Sequence, residues 1–91
     1  MHRGVSGLRL IEAGMDVRDI DGQKVGKVNR ILSSSEPHGE VFEVKTGLLG
    51  LGPPLYVPIT LVQGVTGRSV FCWSTRDRIE HDYRDVTARL S

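Results

Sequence analysis

Carboxylates at one point of the chain resemble the start of a calcium-binding loop. Asp19 and Asp21 lie two residues apart in front of a glycine, and such loops use closely spaced carboxylates as oxygen ligands. Counted from Asp16, however, the third position is Arg18 and the twelfth is Lys27, where the loop needs oxygen ligands. Because the register fails, we interpret this stretch as a turn and not as a metal site.

A glycine-rich stretch, GLLGLGPP at residues 47–54, resembles a phosphate-binding loop. A dinucleotide fingerprint places its glycines between a strand and a helix, so that the phosphates meet the helix N-terminus. Here the glycine spacing is reversed, and Pro53 and Pro54 forbid an immediate helix. We therefore expect a flexible loop with few backbone hydrogen bonds. Its leucines would form a binding surface if they are exposed: Leu48, Leu49 and Leu51.

The single cysteine and the three histidines form no catalytic pattern in the sequence. Cys72 lies inside a predicted strand without a nearby histidine to activate it, so we expect a buried and inert thiol. His81 shares a predicted helix face with Asp77 and Asp85, but zinc binding or acid–base chemistry would need more ligands or a pocket. We predict that the protein is not an enzyme and binds no cofactor and no metal ion.

Composition favours one small soluble domain, which buries only about 60–65% of the surface of its unfolded chain. The net charge is +1, with 12 basic and 11 acidic side chains spread along the chain, and this does not indicate a nucleic-acid surface. One cysteine permits no internal disulfide and indicates a reducing compartment. Since the chain shows no signal-peptide pattern and no apolar run of about 18 residues, we expect a cytoplasmic protein without membrane insertion.

The stretch GMDVRDIDGQKVGKV at residues 14–28 predicts a β-hairpin. Apolar and polar residues alternate around Val17 with the period of a half-buried strand. Asp21 and Gly22 then supply turn chemistry, since glycine adopts positive φ without steric cost. In the returning segment the apolar residues lie three apart and Gly26 interrupts the alternation, which favours a bulged, bent strand. A short helix over the same segment is the alternative.

Three further strands are predicted at residues 40–46, 55–59 and 68–74. Pro58 lies in the second of these, and because proline cannot donate to a ladder, that strand should lie at a sheet edge or turn at this point. Between the second and third, apolar residues three apart predict a single helical turn. The residues of that turn are Ile59, Val62 and Val65.

The last segment predicts an amphipathic helix, with a polar tail as the alternative. Apolar residues recur three or four positions apart from Ile79 through Tyr83 onwards. Ser74 and Asp77 have the spacing of a capping box at the helix start. The helix can pack on its own barrel or on a partner, and the pattern leaves both arrangements open.

Three aromatic residues are predicted to face outwards: Tyr56, Phe71 and Trp73. They alternate along their strands with residues expected to face the interior, which are Val57, Ile59, Val70 and Cys72. An outward aromatic group marks a contact surface or lies beneath another element, such as the C-terminal helix. Single-stranded nucleic acid could stack on it, but the near-neutral charge argues against that ligand.

The order of these elements resembles the PRC-barrel domain, a module of the photosynthetic reaction centre H subunit and of a ribosome-maturation factor. The resemblance rests on the hairpin at residues 14–28, YVPI at 56–59 and VTGRSVFCWS at 65–74, and it spans about residues 11–79. It implies an all-β fold: a small, strongly bent β-barrel of about five or six strands with a short C-terminal helix. It also implies macromolecular contact without a catalytic site.

The predicted domain organisation has three parts. A loose N-terminal segment covers residues 1–10, the PRC-barrel-like domain covers 11–75, and the helix or tail covers 76–91. The structural turn consists of Asp21, Gly22 and Gly26.

The expected function is a non-catalytic protein-interaction or assembly module, with an RNA- or ribosome-associated maturation factor as the alternative. We expect a homodimer, because Val70 and Phe71 show that one strand has apolar residues on both faces, and something must cover the outer one. The identity of any other protein partner stays open. The candidate interaction surface contains Tyr56, Phe71, Trp73, Leu48, Leu49, Leu51 and Tyr83.

Overall fold

The computed structural model describes residues 11–32 and 40–84, which form six strands and one short helix. The strands are β1 (Asp16–Arg18), β2 (Lys24–Leu32), β3 (Val41–Lys45), β4 (Leu55–Pro58), β5 (Val62–Thr66) and β6 (Ser69–Cys72). The helix is α1 (Arg76–Asp82), and 3-10 turns lie at Leu48–Gly50 and Ile59–Leu61. The predicted N-terminal segment 1–10 and the last part of the predicted helix or tail, residues 85–91, lie outside the described residues.

One mixed sheet contains all six strands, in the order β4-β3-β2-β1-β6-β5. Neighbouring strands are antiparallel except β1 and β6, which are parallel. The predicted all-β fold with a short helix is confirmed. Pro58 lies on the edge strand β4, as the sequence predicted, so its missing N–H breaks no ladder.

Two β-bulges bend β2 and explain its unusual apolar spacing. Val25 is the extra residue opposite β1, and Asn29 is the extra residue opposite β3. Each bulge shifts the alternation by one position, so residues three apart reach the same core: Val25, Val28 and Ile31. The predicted bulged strand is confirmed, and the helical alternative for this segment is wrong.

A third bulge explains the strand that the sequence pattern missed. The predicted helical turn holds only for Ile59–Leu61, after which the chain continues as β5. Gln63 is the extra residue opposite β6, and Val62 and Val65 both pack against the core from this strand. The prediction was wrong beyond Leu61 because a bulged strand and a helical turn give the same apolar spacing of three.

The predicted β1–β2 hairpin is confirmed, with a different turn chemistry. Gly22 has a φ of 84°, in the left-handed region that favours glycine. The Asp19 carbonyl accepts from Gly22 N at 3.0 Å and Asp19 N donates to the Gln23 carbonyl at 2.9 Å, which closes a three-residue loop. The carboxylate that holds this turn comes from Asp19, and Asp21 is exposed.

The helix packs on its own sheet. It begins at Thr75, whose hydroxyl accepts from Arg78 N, and not at the predicted cap Ser74. Ile79 is fully buried in the core, and Tyr56 N donates to the Tyr83 carbonyl at 2.8 Å. Because α1 ends at Asp82, the predicted helix is too long within the described residues.

The core fills the inner face of the bent sheet, and at Gly26 the backbone of β2 lies in close contact with β3. A Cβ atom at this position would lie 2.2 Å from the Lys45 carbonyl oxygen and 2.8 Å from Cγ1 of Val44. The fully buried core side chains include Val17, Phe42, Val44, Leu55, Val57, Val70, Cys72 and Ile79.

We predict that Gly26→Ala lowers the free energy of unfolding by about 1–3 kcal/mol, because the added methyl group overpacks a backbone contact. Urea denaturation measures the change. Gly64→Ala is the matched control, since a Cβ there meets nothing within 4 Å. Equal stability of the two variants would contradict the close approach of β2 and β3.

Candidate functional site

Among the described residues, the most exposed large apolar side chains lie in the β3–β4 connection at residues 47–52, which we call the leucine loop. Leu48 and Leu49 are each 85% exposed and Leu51 is 82% exposed. The sequence predicted leucines in this loop as a surface if exposed, and the structure places all three in solvent. Apolar side chains presented in this way are typical of contact surfaces.

The leucine loop is internally hydrogen-bonded, so the expectation of few backbone bonds was wrong. Gly50 N donates to the Gly47 carbonyl at 3.2 Å, Leu51 N to the Leu48 carbonyl at 3.1 Å, and Gly52 N to the Thr46 carbonyl at 2.9 Å. These amides are therefore already engaged, which disfavours a phosphate-binding role for the glycines.

Leu49 adopts an uncommon backbone conformation in this loop. Its φ is 59° and its ψ is 21°, in the left-handed region that non-glycine residues seldom occupy. The buried Thr46 hydroxyl donates to the Pro53 carbonyl at 2.6 Å and ties the two ends of the loop together. The loop therefore presents its leucines in a defined shape, at a conformational cost met by its own hydrogen bonds.

A groove lies between the leucine loop and the first half of β2. Its lining consists of Lys24, Gly26, Lys27, Lys45, Gly47, Leu49 and Gly50. Lys27 and Lys45 are direct cross-strand partners on β2 and β3, so two ammonium-bearing side chains leave the sheet side by side. The groove thus combines positive charge, small glycine walls and an apolar rim.

One carboxylate partly compensates the charge beside this groove. Asp16 lies 3.1 Å from Lys27 Nζ, 3.5 Å from Lys24 Nζ and 3.4 Å from the Arg18 guanidinium. The hydrogen bond from Lys27 holds the pKa of Asp16 below its ordinary value, although partial burial acts in the opposite direction. Three cations therefore share a single carboxylate, and Lys45 makes no ion pair within residues 11–32 and 40–84.

The helix start is joined to the β1–β2 turn by Asp19. One carboxylate oxygen accepts from Asp21 N at 2.9 Å and Gln23 N at 2.8 Å, and the other accepts from Arg76 N at 2.8 Å. Burial would raise the pKa of Asp19, but the three amides together hold it below its ordinary value. This carboxylate is therefore committed to the fold and is not available as a calcium ligand.

A second polar cluster on the outer face of the sheet contains Tyr56. Glu43 is largely buried and accepts from Asn29 Nδ2 at 2.6 Å and Arg30 Nε at 3.0 Å. These bonds, led by that of Asn29 and joined by one from the Tyr56 hydroxyl, hold the pKa of Glu43 below its ordinary value against the effect of burial. Tyr56 is therefore half-buried in a hydrogen-bonded cluster.

The structure separates the aromatic residues that the sequence grouped together. Tyr56 on β4 and Phe71 on β6 have three strands between them in the sheet. Phe71 is half-buried, beside Arg18 of β1, while Trp73 just after β6 is 54% exposed and is not covered by α1. Tyr83 packs against the core from the end of the helix. The aromatic surface thus reduces to Trp73 with part of Phe71.

Sequence reasoning missed Ile20, which is 45% exposed at the β1–β2 turn. Strands β1, β3 and β6 run towards the same end of the sheet, because β1 and β3 are each antiparallel to β2 and β6 is parallel to β1. Every large exposed apolar residue of the described chain follows one of these three strands. They are Ile20, Leu48, Leu49, Leu51 and Trp73.

Other predicted chemical groups do not assemble into a site. Within the part of the chain that the structure describes, no group of three or more His, Cys, Asp or Glu side chains could hold a metal ion. No helix in the same residues is long and apolar enough to cross a membrane. His81 Nδ1 lies 3.0 Å from the Asp82 carboxylate on the exposed side of α1.

Comparison with known families supports the fold. The family model described as the PRC-barrel domain matches residues 13–77. A search of curated proteins finds no match. The matched region contains all six strands and the start of α1.

We predict that Cys72 reacts with thiol reagents only when the protein unfolds. Burial, with a smaller contribution from the charge of Asp19, raises the pKa of this thiol to about 12, so almost no thiolate forms at neutral pH. Ellman's reagent measures the rate, with the urea-unfolded chain as the control. Equally fast labelling of folded and unfolded protein would contradict the burial of Cys72.

Proposed function

The chain belongs to the PRC-barrel domain family, and from this premise we propose that it is a non-catalytic protein-interaction or assembly module. It contacts its partner with the end of the sheet at which β1, β3 and β6 finish. The observation that supports this most directly is that the large exposed apolar residues of the described chain all lie in connections at this end.

The energetics of the leucine loop favour a contact role. Burying a leucine side chain contributes on the order of 1.5–3 kcal/mol, and three leucines are more than four-fifths exposed here. Exposed leucines do not stabilise the isolated domain, whereas covering them with a partner contributes most of this free energy to binding. The internal hydrogen bonds of the loop reduce the ordering cost of binding.

The polar groups of the domain support a non-catalytic role. The Asp19 and Glu43 carboxylates accept hydrogen bonds from neighbouring groups, and the Cys72 thiol is buried. General acid–base or nucleophilic catalysis would require such groups to reach a substrate. The free, buried thiol is also compatible with the cytoplasmic location, which we retain as part of the proposal.

The RNA-associated alternative receives less support from the geometry. Stacking of bases needs neighbouring aromatic side chains, and three strands lie between Tyr56 and Phe71 in the sheet. We therefore prefer a protein partner. A second copy of the chain is one such partner, and the homodimer stays a prediction.

We predict that the combined variant Leu48→Ser, Leu49→Asn, Leu51→Ser folds normally but loses at least tenfold of the partner captured from a native cell extract. Asparagine is chosen for position 49 because it tolerates a positive φ. Quantitative affinity capture measures the loss, and Gln63→Ser, an exposed position on β5, is the matched control.

Unfolding in urea checks the fold of this variant, whose stability should stay within about 0.5 kcal/mol of the wild type. Light scattering identifies the case in which the partner is a second copy, because a dimer would then become a monomer in the leucine variant. Undiminished capture by a folded variant would contradict the proposed contact surface.

A further inference from the structure

We propose that the groove between the leucine loop and β2 binds an acidic segment of a protein partner, one that also carries apolar side chains. This inference rests on the proposed interaction function and specifies the chemistry of the partner. It is drawn from the composition of the groove, the excess of positive charge beside it and the position of Leu49 in its wall.

The composition of the groove fits a peptide chain with carboxylates. Three of its seven lining residues are lysines and three are glycines, while none carries a negative charge. The glycines line the wall with backbone atoms, and the space where a Cβ would lie is closed by Lys45 at Gly26 and Gly50 and by Gly52 at Gly47. Leu49 forms part of the wall, so an apolar side chain of the partner would find a contact next to the ammonium groups.

The side chains beside the groove carry an excess of positive charge, which an acidic partner would neutralise. Asp16 is shared by Arg18, Lys24 and Lys27, and Lys45 brings a further positive charge directly opposite Lys27. Like charges opposite each other on neighbouring strands destabilise a sheet. A partner carboxylate placed between them would relieve this repulsion on binding.

The aliphatic part of the Lys45 side chain lies against the leucine loop. A Cβ atom at Gly50 would lie 3.3 Å from Lys45 Cδ, which shows that the aliphatic part of Lys45 runs along the leucine loop. Long lysine stems commonly lie on apolar surface with the ammonium group in water. Leu49 and the positive charge therefore belong to one continuous surface.

An anionic membrane is a less suitable partner than an acidic peptide. Two carboxylates lie near the groove: exposed Asp21 is in the β1–β2 turn, and half-buried Glu80 borders the adjoining depression with Lys24 and Gly47. A flat anionic surface would meet these acidic groups together with the lysines. A narrow segment lying within the groove meets the lysines alone.

The test selects ligands without assuming a known partner. A random dodecapeptide library displayed on phage is selected on the full wild-type chain, and the selected peptides are synthesised and their affinities measured by fluorescence polarisation. We expect the selected peptides to contain Asp and Glu at no less than twice their frequency in the starting library, together with Leu, Ile, Val or Phe. Their affinity should fall as salt is raised, since exposed charges are screened.

Charge reversal locates the site. Lys45→Glu should weaken binding at least tenfold, and it should fold because the new carboxylate lies opposite Lys27 on the neighbouring strand. Arg68→Glu is the matched control, with the same charge change at an exposed position in the β5–β6 turn, at the other end of the sheet. It should change the affinity less than twofold. Peptides in which the acidic residues are replaced by lysine should recover affinity for Lys45→Glu.

Each remaining outcome overturns the inference. If the selected peptides are not acidic, or bind Lys45→Glu as tightly as wild type, the groove between the leucine loop and β2 is not a binding site for an acidic segment. If those peptides still lose binding in the leucine-loop variant, the interaction function stands without the acidic partner. If no peptide is selected while phosphatidylglycerol vesicles sediment with the wild type but not with the leucine-loop variant, the surface is a lipid contact and both proposals fail.

Discussion

The hydrogen bonds of the Asp19 carboxylate fix the arrangement of the end of the sheet at which β1, β3 and β6 finish. This carboxylate joins the β1–β2 turn to the first residue of α1, across 57 positions of sequence, through hydrogen bonds from three backbone amides. Of these three amides, that of Arg76 comes from the helix, and Ile20 N, which donates to the Ser74 carbonyl at 3.0 Å, adds a second bond between the same two segments. Ile79 of this helix is fully buried in the core. The helix that borders the leucine loop is thereby fixed relative to the hairpin.

The bends in the sheet and the position of the functional surface are physically linked. Bulges in β2 let its first half pair with β1 and its second half pair with β3, so a short chain wraps around a small core. The close approach at Gly26 brings the end of β3, and hence the leucine loop, next to the lysines of β2. A docking surface can then be built from loops while the strands beneath it remain rigid.

The sequence was sufficient for the fold and for part of the site. Turn chemistry at Gly22 and interrupted alternation at Gly26 predicted the bent hairpin, and Pro58 predicted an edge strand. Apolar residues three positions apart are compatible with both a bulged strand and a helical turn. The strand predicted from this spacing was correct for β2, whereas the helical turn predicted from it was wrong for β5. The role of Asp19 was not predictable, because its third amide partner is distant in sequence. The leucines were recognised, but their full exposure depends on hydrogen bonds inside the loop, and the separation of Tyr56 from Phe71 depends on the strand order.

The dependence of stability on pH tests most directly whether the Asp19 carboxylate connects the β1–β2 turn to α1. The folded pKa of Asp19 lies below its ordinary value of 3.8, so its contribution is complete above the unfolded pKa and is lost as the pH falls through the folded pKa. Urea unfolding at neutral pH should show Asp19→Asn less stable than wild type by about 2–3 kcal/mol, whereas the exposed control Asp21→Asn changes by less than about 0.5 kcal/mol. The gap in free energy of unfolding between wild type and Asp19→Asn should narrow as the pH falls below 3.8, the ordinary pKa of Asp. Equal stability of the two variants at neutral pH, or a gap that does not change with pH, would contradict the account.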